Sequence, residues 1–202
     1  METEFTTQDK KWIQKTIRKT YSKAAKNPDG LFRYPTGLEG LKTLKYDPDL
    51  LRILPAEVAA CYCGVGNPFT LGPIDEGDDV LDVGCGAGVD TLFSAMMTGP
   101  SGKAVGIDLT PAMLQRAEKN LSKTDVTNVV FNEGSAENLP FADGDFKVVT
   151  SNGALNLVPD KARAFGEIYR VLKPGGRLMV ADEILIGEPP REKDKIIRSW
   201  AQ

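Results

Sequence analysis

Residues 80–90 read VLDVGCGAGVD, an apolar run of strand composition followed at once by three glycines in five positions, Gly84, Gly86 and Gly88. A turn without side chains between a buried strand and the helix behind it brings backbone N–H groups close to a ligand, and the helix N-terminus adds partial positive charge. The chain beyond continues the pattern. From residue 80 onward, short β-rich runs alternate with helical patterns, punctuated by glycine or proline, as in a parallel α/β sheet. Strands are expected near 80–84, 103–108, 128–132, 146–151 and 176–182, and helices over 89–98, 111–123 and 160–172. Thr110 and Pro111 open the second helix, and Lys173-Pro174-Gly175-Gly176 closes the third. Right-handed crossovers then wind the sheet both ways from its first strand, in the order 3-2-1-4-5. The connection SAENLPFADGD is too short and too rich in turn formers for a long helix, and reads as a loop at the ligand edge.

Two details narrow the ligand. Asp82 lies two residues before the first glycine, and the spacing is G-x-G-x-G rather than the G-x-G-x-x-G of dinucleotide sites. An aspartate there repels a pyrophosphate and suits a ligand bearing an ammonium group. The second strand ends in GIDLT, which places Asp108 twenty residues beyond Gly88. A carboxylate at that point can accept two hydroxyl hydrogen bonds from a ribose. The loop therefore suits a ribose and a cation without a diphosphate, with a purely structural tight turn as the alternative.

Composition excludes several classes. With 202 residues, 41% of them hydrophobic, the chain has one sizeable core, expected as an extension over 1–79 and a core domain over 80–202. A formal charge of -3 gives no general attraction to nucleic acid or anionic membrane. No apolar run approaches a membrane span, and the start METEFTTQDKKW lacks a signal-peptide core. Three cysteines, Cys61, Cys63 and Cys85, fit a reduced compartment, so a cytoplasmic protein is expected. Histidine is absent, which removes the commonest general base and the commonest metal ligand. Between Lys10 and Lys26, the stripe Ile13, Ile17, Tyr21 and Ala24 faces six lysines and Arg18. A membrane-surface or nucleic-acid helix is conceivable there, but in an acidic chain a cap helix with a solvated basic face is the better reading.

The blocks VLDVGCGAG, GIDLTPAML, GSAENLPFADGDF and EIYRVLKPGGRLMVAD resemble, in order and spacing, the class I S-adenosylmethionine-dependent methyltransferases over residues 77–182. The resemblance implies a Rossmann-like methyltransferase sheet under a helical N-terminal lid, with S-adenosylmethionine as cofactor. It implies that Gly84 and Gly86 approach the methionine part, with Gly88 the third cofactor-binding glycine of the loop, that Asp82 supports that loop or the amino group, and that Asp108 holds the ribose. Leu109 and Met113 would pack on adenine, with Ser135, Ala136 and Glu137 reading its edge and Asn152 beneath the sulfonium side. Such sheets usually have two further strands. Here only IGEPPREKDKIIRSWAQ follows the fifth, so the final strands are apparently missing. A bare fifth strand (Leu178, Met179, Val180) and an apolar stripe at Ile196, Ile197 and Trp200 lead to the expectation of truncation or of a homodimer through the C-terminal edge.

SNGALNLVPDK and GVGNPF look, more closely, like segments of the arsenite methyltransferases, which hold trivalent arsenic between thiolates. By that resemblance two family cysteines align with Val65 and Gly153, and a third lies beyond Gln202. Cys61 and Cys63 sit two to four positions early and could substitute only if the loop shifts; they read as ordinary thiols, with a metalloid or zinc role as the alternative, and no metal site is expected, because two cysteines without histidine fall short of zinc spacing. Without histidine, a soft or acidic small-molecule acceptor needing no strong base is favoured, with Tyr21, Tyr34, Tyr62 and Asn156 as the residues expected around the methyl group. The alternatives are a quinone-type C-methyltransferase, which LPFADGDF and RVLKPGG resemble equally, and a non-catalytic S-adenosylmethionine-binding or partner-dependent subunit.

Overall fold

A computed structural model describes residues 5–184, 186 and 187. Five parallel strands, β1 (Asp79–Val83), β2 (Lys103–Asp108), β3 (Val129–Glu133), β4 (Phe146–Asn152) and β5 (Leu172–Ala181), form one sheet in the order β3-β2-β1-β4-β5. This is the doubly wound α/β arrangement that the alternating pattern predicts. The crossover helices are α5 (Val89–Thr98), α6 (Pro111–Leu121) and α7 (Lys161–Val171), preceded in the chain by α1 (Thr7–Ala24), α2 (Gly37–Thr43), α3 (Pro48–Ile53) and α4 (Ala56–Ala59). Strands buried on both faces read as continuous apolar runs, and Val80, Leu81, Val148 and Val149 are all fully buried.

Two boundaries depart from expectation. The fifth strand starts at Leu172, and Lys173-Pro174-Gly175-Gly176 belongs to it instead of forming a turn before it. Leu172 already has extended backbone (φ -74°, ψ 133°) and pairs with Phe146, while a register irregularity between Phe146 and Val148 absorbs the glycines. The single helical run expected near 49–61 is two short helices, α3 and α4, because Pro55 lies between them and cannot donate the N–H that would continue the first. The loop 135–145 contains no helix, as its turn formers predict.

α1 opens with a reciprocal capping box between Thr6 and Asp9. Ile13 and Ala24 are buried beneath it, and Ile17 and Tyr21 of the same stripe line a cleft over the sheet. Its basic face is solvated, with Lys10 paired to Asp160 and Arg18 to Glu133. Arg116 on α6 donates to the carbonyls of Ala25 (2.7 Å) and Lys26 (3.0 Å), closing off the helix end. Residues 37–62 are more deeply integrated: Leu41, Tyr46, Leu54, Val58 and Tyr62 share one apolar cluster with Leu92 and Phe93 of α5. On the other side of the sheet, Leu81, Val149 and Phe146 pack with Ile168 and Val171 of α7.

β5 pairs with β4 and, among the described residues, with no other strand. Met179 is buried and Leu178 and Val180 are half-buried, so the apolar side chains of this edge strand are more covered than its sequence suggests. The stripe at Ile196, Ile197 and Trp200 lies outside the described residues. No helix among the described residues is long and apolar enough to cross a membrane.

Candidate active site

A cleft opens at the C-terminal ends of β1, β2 and β4, where the strand order reverses and where open α/β sheets bind their ligands. Counted out to its open mouth, its space is about 1080 Å³. Asp82, Gly84, Gly86, Asp108, Leu109, Ser135, Ala136, Glu137 and Asn152 all line it, with Tyr21 and Tyr62 on the N-terminal side. The residues from Asp82 to Asn152, scattered over seventy positions, meet at one place because each lies at the end of a strand or in the loop behind it.

Gly84 and Gly86 adopt left-handed backbone (φ 77° and 52°). A Cβ at Gly84 would collide with Ala154, whereas a Cβ at Gly86 would meet nothing within 4 Å, since it points into the cleft. The peptide at Gly86 is therefore bared to an incoming ligand, which is the cradle expected for S-adenosylmethionine, and the carboxylates around it suit that ligand's positive charge. Gly88 faces away from the cleft, against Phe131 and Ala117. Met113 does not reach the cleft either; it is buried among Ala24, Ala25, Cys61 and Ala87. The flank assigned to adenine thus presents Leu109 alone of the two expected apolar residues.

Three carboxylates surround the loop. Asp108 accepts the N–H of Gly86 (2.9 Å) on one oxygen and that of Thr110 (2.7 Å) on the other, and so draws the loop against the end of β2. Partial burial raises its pKa, and those N–H groups pull it back. Asp82, 2% exposed, accepts hydroxyl bonds from Thr91 (2.7 Å) and Thr150 (3.1 Å). Asp90, 7% exposed, accepts from Tyr46 (2.8 Å) and Asn152 (2.8 Å). Burial raises the pKa of both.

The wall opposite is assembled from the N-terminal region. The Asn152 amide oxygen accepts the N–H of Val65 (2.9 Å) and Gly66 (3.1 Å), while its nitrogen lies 2.8 Å from the Gly66 carbonyl and 3.1 Å from the hydroxyls of Tyr46 and Tyr62. Asn152 thereby ties the loop 64–66 to the end of β4. Burial raises the pKa of Tyr46, Tyr62 and Tyr21, so all three stay neutral phenols at physiological pH. Tyr34 donates to the Cys63 carbonyl (3.1 Å) behind this wall. Asn156 is outside the cleft lining; its N–H donates to Asp182 (2.9 Å) and its side-chain oxygen has no partner. Glu137 lines the cleft, yet one of its oxygens already accepts the N–H of Asp160 (2.9 Å).

Tyr46, Asp90, Thr91 and Thr150 were not singled out from sequence. Asp90 has a local signal, two residues past the glycine loop; Tyr46 has none, because the partners of its hydroxyl lie 16 to 106 residues away. All three cysteines are free. Cys61 and Cys63 both line the cleft, and burial pushes the Cys63 thiol up to about 12, which makes it a poor thiolate at neutral pH. Among the described residues no group of three or more His, Cys, Asp or Glu side chains could hold a metal ion. Positions 65 and 153 do meet: a Cβ at Gly153 would lie 3.2 Å from Val65 Cγ1, where neither residue offers sulfur.

Residues 74–201 match the model of the methyltransferase domain. The chain belongs to that family. Among similar proteins, the arsenite methyltransferase of Halobacterium salinarum is 41% identical over 74% of this chain and 38% of its own length. The demethylmenaquinone methyltransferase of Listeria monocytogenes serotype 4a is 38% identical over 54% of this chain and 46% of its own. The crystal structure of an arsenic(III) S-adenosylmethionine methyltransferase from Chlamydomonas reinhardtii superposes with a TM-score of 0.60 at 37% identity, covering 67% of this chain and 48% of that one. The methyltransferase-domain chain thus spans less than half the length of each of these relatives.

Proposed function

We propose that this methyltransferase-domain protein binds S-adenosylmethionine in the cleft and transfers its methyl group to a small-molecule acceptor, in the manner of the arsenite methyltransferases it resembles. The observation that carries the reading is the cradle itself: a peptide bared at Gly86, tied through its N–H to Asp108, with no neighbour on the side where a Cβ would stand. When bound, S-adenosylmethionine supplies a methyl carbon already activated by a sulfonium.

The protein's own share is mostly placement. The bared face of the loop at Gly86 and the Asp108 carboxylate fix the donor end, and Leu109 covers an apolar flank. Tyr62, Asn152 and the loop 64–66 form the opposite wall, which stands where an acceptor would align for in-line attack. Ile17 and Tyr21 bring α1 across the mouth and exclude water; in this reading α1 is the movable cover and residues 37–62 are part of the body. Because the phenols are held neutral and histidine is absent, the wall provides no strong base. A soft nucleophile, whose attacking lone pair is already free, suits it better than an alcohol. Arsenic held between protein thiolates is the less favoured form of that chemistry, since positions 65 and 153 are valine and glycine.

A quinone-type C-methyltransferase is the second reading, favoured by the 38% identity to the Listeria demethylmenaquinone enzyme. Third, the domain binds S-adenosylmethionine without turnover, or turns over only with a partner. Calorimetry with S-adenosylmethionine and NAD, followed by turnover with arsenite, selenite, thiols and quinols, separates these readings; preference for NAD would overturn all three. The free cysteines fit a cytoplasmic protein. We also propose that a second copy covers the edge of β5 that pairs with no other strand among the described residues, to be tested by light scattering over a concentration series; a monomer throughout would refute it.

A further inference from the structure

Two carboxylates stand beneath the cleft without a cation. Asp82 comes from β1 and Asp90 from the start of α5, 2% and 7% exposed, and their four oxygens accept from Thr91, Thr150, Tyr46 and Asn152, all uncharged donors. The other titratable groups facing them are Asp108 from β2, the phenols of Tyr46 and Tyr62, and the thiols of Cys63 and Cys85. Burial keeps the phenols and thiols neutral, and Asp108 only adds negative charge. Among the described residues no lysine or arginine forms an ion pair with any of the three aspartates. Two buried anions that repel one another and face a third are costly unless one of them takes a proton or a positive charge arrives. Both line the cleft into which Gly86 opens, so a ligand's positive charge can reach them.

We infer that Asp82 and Asp90 hold one proton between them in the free protein and release it when a cationic ligand enters the cleft, so that binding is proton-coupled and selects for positive charge. The inference rests on the S-adenosylmethionine reading of the cleft and adds a property to it. Ligand and proton then compete for the same buried negative charge, and linkage requires affinity to rise with pH, by at most about tenfold per unit on the acid side of the pair's titration.

The test is calorimetry near pH 6, in buffers of different ionisation enthalpy, where a ligand α-ammonium stays charged because its ordinary pKa is about 8. S-Adenosylmethionine is compared with 5′-methylthioadenosine, which keeps the nucleoside and carries no charge. The expected result is release of roughly half to one proton with S-adenosylmethionine and none with 5′-methylthioadenosine. In Asp90→Asn the release of protons falls and the affinity for S-adenosylmethionine depends less steeply on pH. Tight binding of S-adenosylmethionine by the unaltered protein with no proton exchange, or equal release with both ligands, overturns the inference and leaves the cofactor assignment standing. If neither ligand binds, the cofactor assignment falls and this inference with it. The comparison on the unaltered protein decides the matter even if Asp90→Asn does not fold.

Discussion

The two halves of the cleft are built by different means. The half containing Gly84, Gly86 and Asp108 is made from the ends of adjacent parallel strands and the turns behind them, and its ties are backbone N–H groups meeting a carboxylate. The half containing Tyr46, Tyr62, Gly64 to Gly66 and Asn152 is stitched across sequence separations of up to 106 residues by side chains sharing one polar cluster. The first half inherits its geometry from the sheet, so its residues can be exchanged with mainly local loss. The second holds its shape only while every member of the cluster is satisfied, so losing one should be felt in the fold.

The largest effect is expected at that hub. Asn152→Ala strands the N–H groups of Val65 and Gly66 and removes one of the two donors to a buried carboxylate, and should cost about 3–5 kcal/mol of stability by denaturant titration. A loss below about 1 kcal/mol would show that the wall does not depend on it. Asp108→Ala should instead weaken S-adenosylmethionine at least about tenfold by calorimetry, because each lost charge-assisted hydrogen bond is worth roughly 1.5–3 kcal/mol. Unchanged affinity would remove the ribose assignment.

The contrast extends to pH. Glu167 on α7 is held down to about 2, first by its hydrogen bonds from Arg170 and also by the N–H of Leu139. Its contribution is present above its ordinary value of 4.5 and lost as pH falls toward 2. Asp82 and Asp90 have the opposite sign: raised above an ordinary 3.8, they favour the fold below that value and cost it stability as pH rises through their raised values. Urea titrations from pH 3 to 8 should therefore show Glu167→Gln flattening the acid limb and Asp90→Asn flattening the decline toward neutral pH. The smallest effect is expected from Cys61→Ser with Cys63→Ser: S-adenosylmethionine affinity within about twofold of the parent, and turnover of soft acceptors little changed. Loss of all soft-acceptor turnover in that double variant would give the thiols a role in the second half of the cleft.

The sequence by itself determined the sheet, its strand order, and the positions of Gly84, Gly86 and Asp108 at the mouth, because these follow from local patterns: apolar runs of strand length, left-handed glycines in a turn, and a carboxylate ending the next strand. It also carried the departures at Val65 and Gly153. Tertiary structure alone decided that Met113 is buried away from the cleft, since helical periodicity marks an apolar residue without saying which neighbour it meets. The start of β5 at Leu172 was decided the same way, by pairing with Phe146 winning over the turn preference of Pro174 and two glycines. Above all it decided the cluster of Tyr46, Tyr62, Asp90 and Asn152. A hydrogen bond between side chains 106 residues apart has no periodicity and no spacing, and exists only once the sheet has closed and left buried donors and acceptors to find one another.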